Sequence, residues 1–164
     1  MAPASDVDRA AVADLLGRTP DGEFDVVVRH ADDGPVVIRN APLLPSGRPM
    51  PTRYWLVGEP ERTWVGRLES EGGVDRAEAE VDAEVLEATH AAHARERDRA
   101  LPPDHDGPAP SGGVGGTRRG VKCLHAHYAW FLAGGDDPVG RWVAAHLHEV
   151  GGGPPGSGGP PVRR

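Results

Sequence analysis

The sequence predicts an α+β fold, a small three-stranded antiparallel sheet packed against about four helices. Three observations carry this. Residues 24–38 hold two runs rich in β-branched side chains, split by the turn signal Asp32-Asp33-Gly34. Residues 59–150 hold several segments whose apolar side chains recur at helical spacing. The glycines and prolines, 23 and 17 in number, cluster between these segments rather than inside them, so they punctuate elements instead of dissolving them.

Ser5 and Asp6 offer a cap for a first helix through Leu16, stopped by Gly17, and Thr19-Pro20-Asp21-Gly22 is turn chemistry. If residues 24–30 are extended, Phe24, Val26, Val28 and His30 share one face. Val36-Val37-Ile38 then completes an antiparallel hairpin, and Tyr54-Trp55-Leu56-Val57 adds a third strand after a proline-rich connection. Residues 59–71 read as a helix, with Pro60 in the first turn and Gly72-Gly73 closing it. Residues 75–100 read as one long helix. Val81, Val85, Ala88 and Ala92 form its apolar stripe, while Leu86, His90, His93 and Arg97 fall on a different face at roughly 100° per residue.

Residues 101–116 carry four prolines and five glycines and are expected to form a flexible loop within a single domain spanning residues 1–150. A central helix over 119–133 and a last one over 139–150 follow, separated by Gly134-Gly135-Asp136-Asp137-Pro138. Residues 151–164 are glycine, proline and serine ending in two arginines, and read as a disordered tail.

The formal charge of −7, from 18 basic and 25 acidic residues, argues against a broad nucleic-acid interface. One cysteine excludes an internal disulfide and suits a reducing compartment. The first residues lack the basic and apolar regions of a secretory signal, and no stretch is apolar for long enough to insert in a bilayer. The expected location is the cytoplasm.

The chemistry concentrates between Gly112 and Tyr128. A glycine loop runs into Thr117-Arg118-Arg119, then Lys122, the lone Cys123, His125 and His127. If a regular helix starts near 119, Val121, Leu124, Tyr128, Phe131 and Leu132 share the buried face. Cys123 and His127 are then neighbours on its flank, with His125 roughly 160° away from His127. Four readings follow. Glycines that admit positive φ, a helix start and three cations can hold an anion such as phosphate, with Thr117, Arg118, Arg119 and Lys122 as its contacts. No Gly-Lys-Ser/Thr run makes this a Walker loop. Cys123 and His127 can supply two ligands to zinc, with His90, or else His93 or His30, completing the set. Cys123 near a helix start with basic neighbours can act as a nucleophile, although no arginine follows at the phosphatase spacing, residue 129 being alanine. The fourth reading is a non-enzymatic interaction module.

The run Val121-Lys122-Cys123-Leu124-His125-Ala126-His127, with Pro138-Val139-Gly140 after it, resembles the domain-of-unknown-function family 501, found in actinobacteria and some other bacteria. Pro51-Thr52 before Tyr54-Trp55-Leu56, Arg67-Leu68-Glu69 before Gly72-Gly73, and His90 with Glu96-Arg97 add to the resemblance, which covers roughly residues 7–150. Its members are often encoded beside a septum-formation initiator and an exopolyphosphatase, which implies a link to cell division or polyphosphate physiology. Many carry cysteines where His30 and Gly58 stand here. His30 can replace a thiolate as a ligand; Gly58 cannot.

The sequence thus points to a cytoplasmic housekeeping protein with an anion- or metal-binding pocket between Arg118 and His127, its partner a phosphorylated small molecule or a protein. The alternative is a small enzyme acting on a phosphorylated compound through Cys123 or a histidine.

Overall fold

A computed structural model describes residues 2–153 and 162–163. The chain runs α1 (Asp6–Leu16), β1 (Phe24–His30), β2 (Pro35–Asn40), β3 (Tyr54–Leu56), α2 (Glu61–Ser70), α3 (Gly73–Glu80), α4 (Ala83–Asp98), α5 (Leu124–Leu132), α6 (Pro138–His146) and β4 (Val162–Arg163), with short 3-10 turns at Val114–Gly116 and Leu147–Val150. The sheet order is β3-β2-β1-β4, antiparallel throughout. The three strands expected from the sequence form its body, and the two-residue β4 pairs with the outer edge of β1. Most of the expected disordered tail, residues 154–161 and 164, lies outside the described residues.

The hairpin closes as its turn residues dictate. Asp33 takes a positive φ of 75°, and the His30 N–H donates to the Gly34 carbonyl at 2.9 Å. Central strand β2 buries Val36, Val37 and Ile38 completely, because both faces of the sheet are covered. On one side a small cluster of Val12, Phe24, Ile38 and Val57 lies under α1. The main core fills the other side, with Val28, Leu56, Val65, Leu68, Leu124, Tyr128, Leu132, Val139 and Val143. The Arg29 guanidinium clasps both Asp8 oxygens at 2.8 and 3.0 Å, and Arg62 donates to the Leu15 carbonyl at 2.7 Å. The first contact ties the start of α1 to β1, and the second fixes its end beside α2, where Leu16 and Arg62 go on to line the cleft described below.

Two helical expectations change. The segment 75–100 is two helices, not one. Val81 is extended (φ −88°, ψ 130°), and the Asp82 carboxylate caps α4 by accepting from the N–H groups of Glu84 and Val85. The five helical segments read along the sequence are therefore six α-helices among the described residues. The buried face of α4 is also not the apolar stripe: Val85 is 48% exposed, whereas Leu86, Thr89, His90, His93 and Arg97 are buried. Those polar side chains are inside because partners meet most of them. The Arg97 guanidinium donates to the carbonyls of Pro110, Ser111 and Gly112. The proline- and glycine-rich segment is therefore anchored in its second half, where Val114 is 1% exposed, a packing that its composition did not suggest.

The central helix begins at Leu124, five residues later than expected. Gly120 has φ +63°, and a Cβ there would sit 2.4 Å from Glu78 Oε2. The same carboxylate accepts the Val121 N–H at 2.7 Å. Glu78 thus holds the chain in a bend, and Thr117, Arg118, Arg119 and Lys122 lie outside the helix. Leu124, Tyr128 and Leu132 are buried as expected. Among the described residues no helix is long and apolar enough to cross a membrane.

Candidate metal centre

Four N–H groups of the glycine loop are taken up by the protein and are not left to an anion: Gly113 donates to the Thr117 carbonyl at 2.6 Å, Val114 to His90 Nδ1 at 3.1 Å, Gly116 to the Gly113 carbonyl and Thr117 to that of Val114. The start of α5 is occupied too, because the Leu124 N–H donates to Glu69 Oε1 at 2.7 Å. The chain's own carboxylate sits where the sequence suggested a bound anion. Nor do the cations converge. Thr117 Oγ1 donates to the Arg119 carbonyl at 2.8 Å. Arg118 and Arg119 line a cavity of about 320 Å³ with Glu78, Glu87 and His90, while Lys122 lines a different cleft with Cys123.

The ligand set Cys123, His127 and His90 is divided as well. The rings of His90 and His127 are 5.6 Å apart, inside the protein. His127 Nδ1 meets Asp137 Oδ2 at 2.7 Å, and both side chains are essentially fully buried. His90 accepts from Val114 through Nδ1 and lies 2.9 Å from the Gly120 carbonyl through Nε2, so it is a neutral histidine with both nitrogens engaged. Burial pushes its pKa down. His93 packs edge-on against Trp130 and Tyr54. His30 is paired with Glu61 at 3.0 Å.

Cys123 belongs elsewhere. It is the residue before α5, in extended conformation (φ −154°, ψ 121°), so helical spacing does not apply to it. A ligating atom of Cys123, one of His125 and one of Glu69 lie within 4.8 Å of one another, the one such group among the described residues. Three elements make it. The last turn of α2 supplies Glu69, the bend before α5 supplies Cys123, and the first turn of α5 supplies His125. His125 Nδ1 is 3.2 Å from Glu69 Oε1, and Nε2 is 3.1 Å from the Arg62 carbonyl. Burial opposes the charge on His125, but hydrogen bonds to Cys123 and Glu69 outweigh it and push the pKa up to about 10. Burial likewise opposes ionisation of Glu69, and His125, the Leu124 N–H and Cys123 together still hold its carboxyl below the ordinary value.

The group opens onto a cleft of about 370 Å³. Its walls include Tyr54, Trp55 and Leu56 from β3, Leu16 and Arg18 from the end of α1, Arg62 from α2 and Ala126 from α5. Reading the residues in sequence missed Glu69 as a site residue and set His125 aside. The one signal that pointed to both was the resemblance. Several of the residues that carry it, Thr52, Tyr54, Trp55, Leu56, Lys122, Cys123, His125 and Ala126, line this cleft, and Glu69 lies behind it.

No curated protein and no solved structure matches the chain. One family model does match, over residues 26–145, and that span holds all three members of the group: the chain belongs to the family described as protein of unknown function (DUF501).

Proposed function

We propose that this is a zinc-binding protein, its ion held by Glu69, Cys123 and His125 and open to the cleft. The observation that supports this most is the use of the two nitrogens of His125. In an acid–histidine–nucleophile relay the ring meets the acid through one nitrogen and the nucleophile through the other. Here the nitrogen opposite Glu69 faces the Arg62 carbonyl instead. A metal-ligating histidine ties its second N–H to a carbonyl in the same way, and on binding the ion Nδ1 would give up its proton, and with it the hydrogen bond to Glu69, and turn to the metal. Ligand atoms around one tetrahedral zinc stand about 3.3–3.8 Å apart for bonds of about 2.0–2.3 Å. The Glu69–His125 pair is already close to that spacing at 3.2 Å, and the rest of the group needs only a small closure.

The donor set suits zinc: a thiolate, an imidazole and a carboxylate. Three protein ligands leave a fourth position, which on this reading faces the cleft, as in sites where zinc acts as a Lewis acid or activates water. Elemental analysis and native mass spectrometry of protein purified without chelator test the reading. Close to one zinc per chain is expected, with loss in Glu69→Gln, Cys123→Ser and His125→Gln and retention in a folded His127→Gln variant. Metal-free wild type that also fails to take up added zinc would overturn it.

A further inference from the structure

We infer that the cleft beside Cys123 and His125 binds a small organic phosphate, a dianion carrying a planar apolar body. The inference rests on the reading of this cleft as the functional site and names what enters it.

Charge is the first observation. The chain carries a net −7, yet the residues lining this cleft include Arg18, Arg62 and Lys122 and no aspartate or glutamate. The second cavity, beside Arg118 and Arg119, has Glu78 and Glu87 in its lining to offset its arginines. The three cations of the cleft are not equivalent. Arg62 is neutralised by Glu59 at 3.3 Å and spends a guanidinium N–H on the Leu15 carbonyl. Arg18 and Lys122 have no carboxylate or hydrogen-bond partner for their side chains among the described residues. Arg18 only lies over the Trp55 ring, 5.3 Å from its centroid. Two uncompensated cations therefore face the opening. A zinc ion held by a thiolate and a carboxylate adds no net charge, so the cleft offers about two positive charges, matched by a phosphate monoester of about −2 at neutral pH. A monocarboxylate would leave one cation unmet.

Shape is the second. A volume of about 370 Å³ suits a small molecule rather than a bare ion. Leu16, Trp55, Leu56 and Ala126 supply apolar wall, and the Trp55 ring offers a stacking face on which Arg18 already rests. The phosphate goes to the cations and the body lies along the tryptophan.

Calorimetric titration of the full chain with phenyl phosphate, benzoate and inorganic phosphate, at low and moderate salt, tests this. Phenyl phosphate is expected to bind roughly tenfold or more tightly than either of the others. An Arg18→Gln, Lys122→Gln double variant is expected to lose that advantage while melting like wild type, and an Arg118→Gln, Arg119→Gln variant to bind normally. Absence of phenyl phosphate binding, equal affinity for benzoate, or unchanged binding in the Arg18/Lys122 variant would overturn the inference. Zinc content, read on the same samples, separates the two readings. Zinc without phenyl phosphate binding sinks the ligand inference alone. Phenyl phosphate binding through Arg18 and Lys122 in protein that takes up no zinc sinks the metal reading alone.

Discussion

Asp137 serves two elements with one carboxylate: Oδ2 meets His127 Nδ1 of α5 at 2.7 Å, while Oδ1 accepts the N–H groups of Val139 and Gly140 at 2.9 and 3.0 Å and so caps α6. Both side chains are buried, with 0% of Asp137 and 1% of His127 exposed. Removing the carboxylate uncaps one helix and strips the partner from a buried imidazole of the other. Asp137→Ala is expected to cost about 2–5 kcal/mol, from the lost cap together with a buried imidazole left without its hydrogen-bond partner. Asp137→Asn keeps a side-chain oxygen for the cap and is expected to cost less. Urea denaturation of both variants checks the order; an alanine variant no worse than the asparagine one would show that the cap carries no weight.

Leu124 opens α5 directly above the start of α3, where a Cβ on Gly73 would come within 2.9 Å of its Cδ1. It is fully buried in the main core. Leu124→Ala is expected to destabilise by about 2–5 kcal/mol. An unchanged denaturation midpoint would mean that the neighbouring helices collapse into the space.

The hairpin, the third strand and the core face of the central helix were legible because their signals are local. Alternation with a period of two, a turn at Asp32-Asp33-Gly34, and apolar side chains at Leu124, Tyr128 and Leu132 each hold within a few residues. Long-range polar contacts decided what was misread. The buried face of α4 carries His90 and Arg97, which distant carbonyls and an N–H meet, and His93, which packs between the Tyr54 and Trp130 rings; an apolar stripe does not mark any of them. The start of α5 depends on Glu78, 43 residues from Val121. The candidate site shows the same limit. Cys123 was visible as the lone cysteine, but its partner was sought four residues on, by helical geometry, at His127. Because Cys123 is extended, the ligating atoms near it are those of His125 and of Glu69, which lies 55 residues before Leu124.

The segment 101–116 is expected to be unevenly sensitive to protease. Arg97, 1% exposed, holds the carbonyls of Pro110, Ser111 and Gly112, and Gly113 lies so close under His90 that a Cβ would meet the His90 Cβ at 2.3 Å. Residues 102–104 and 106–109 are exposed. Limited proteolysis should cut wild type within 102–109 and spare 110–116, whereas Arg97→Ala opens the second stretch as well. Cleavage within 110–116 in wild type would show that these hydrogen bonds do not hold the loop.

His93 should make the fold acid-sensitive. Burial disfavours its charged form, and the Arg97 charge adds repulsion, which together push its pKa down to about 3 from the ordinary 6.5. The unfolded chain takes up this proton near 6.5, but the folded protein refuses it until about 3. Between those values the unfolded state binds more protons, so stability falls as the pH is lowered, by up to about 1.4 kcal/mol per pH unit for one such group. Above 6.5 both states hold the neutral ring and the contribution is fully present. His90, whose pKa is also lowered by burial, adds a slope of the same sign. His93→Gln removes one titration while leaving a polar side chain between Tyr54 and Trp130. Its stability at neutral pH is therefore not the readout; the slope is. Urea denaturation between pH 7.5 and about pH 4.5 is expected to show a shallower loss in the variant than in wild type. Parallel slopes would mean that His93 takes up its proton in the folded state as readily as in the unfolded one, and that the ring is not closed off from water as its 2% exposure implies.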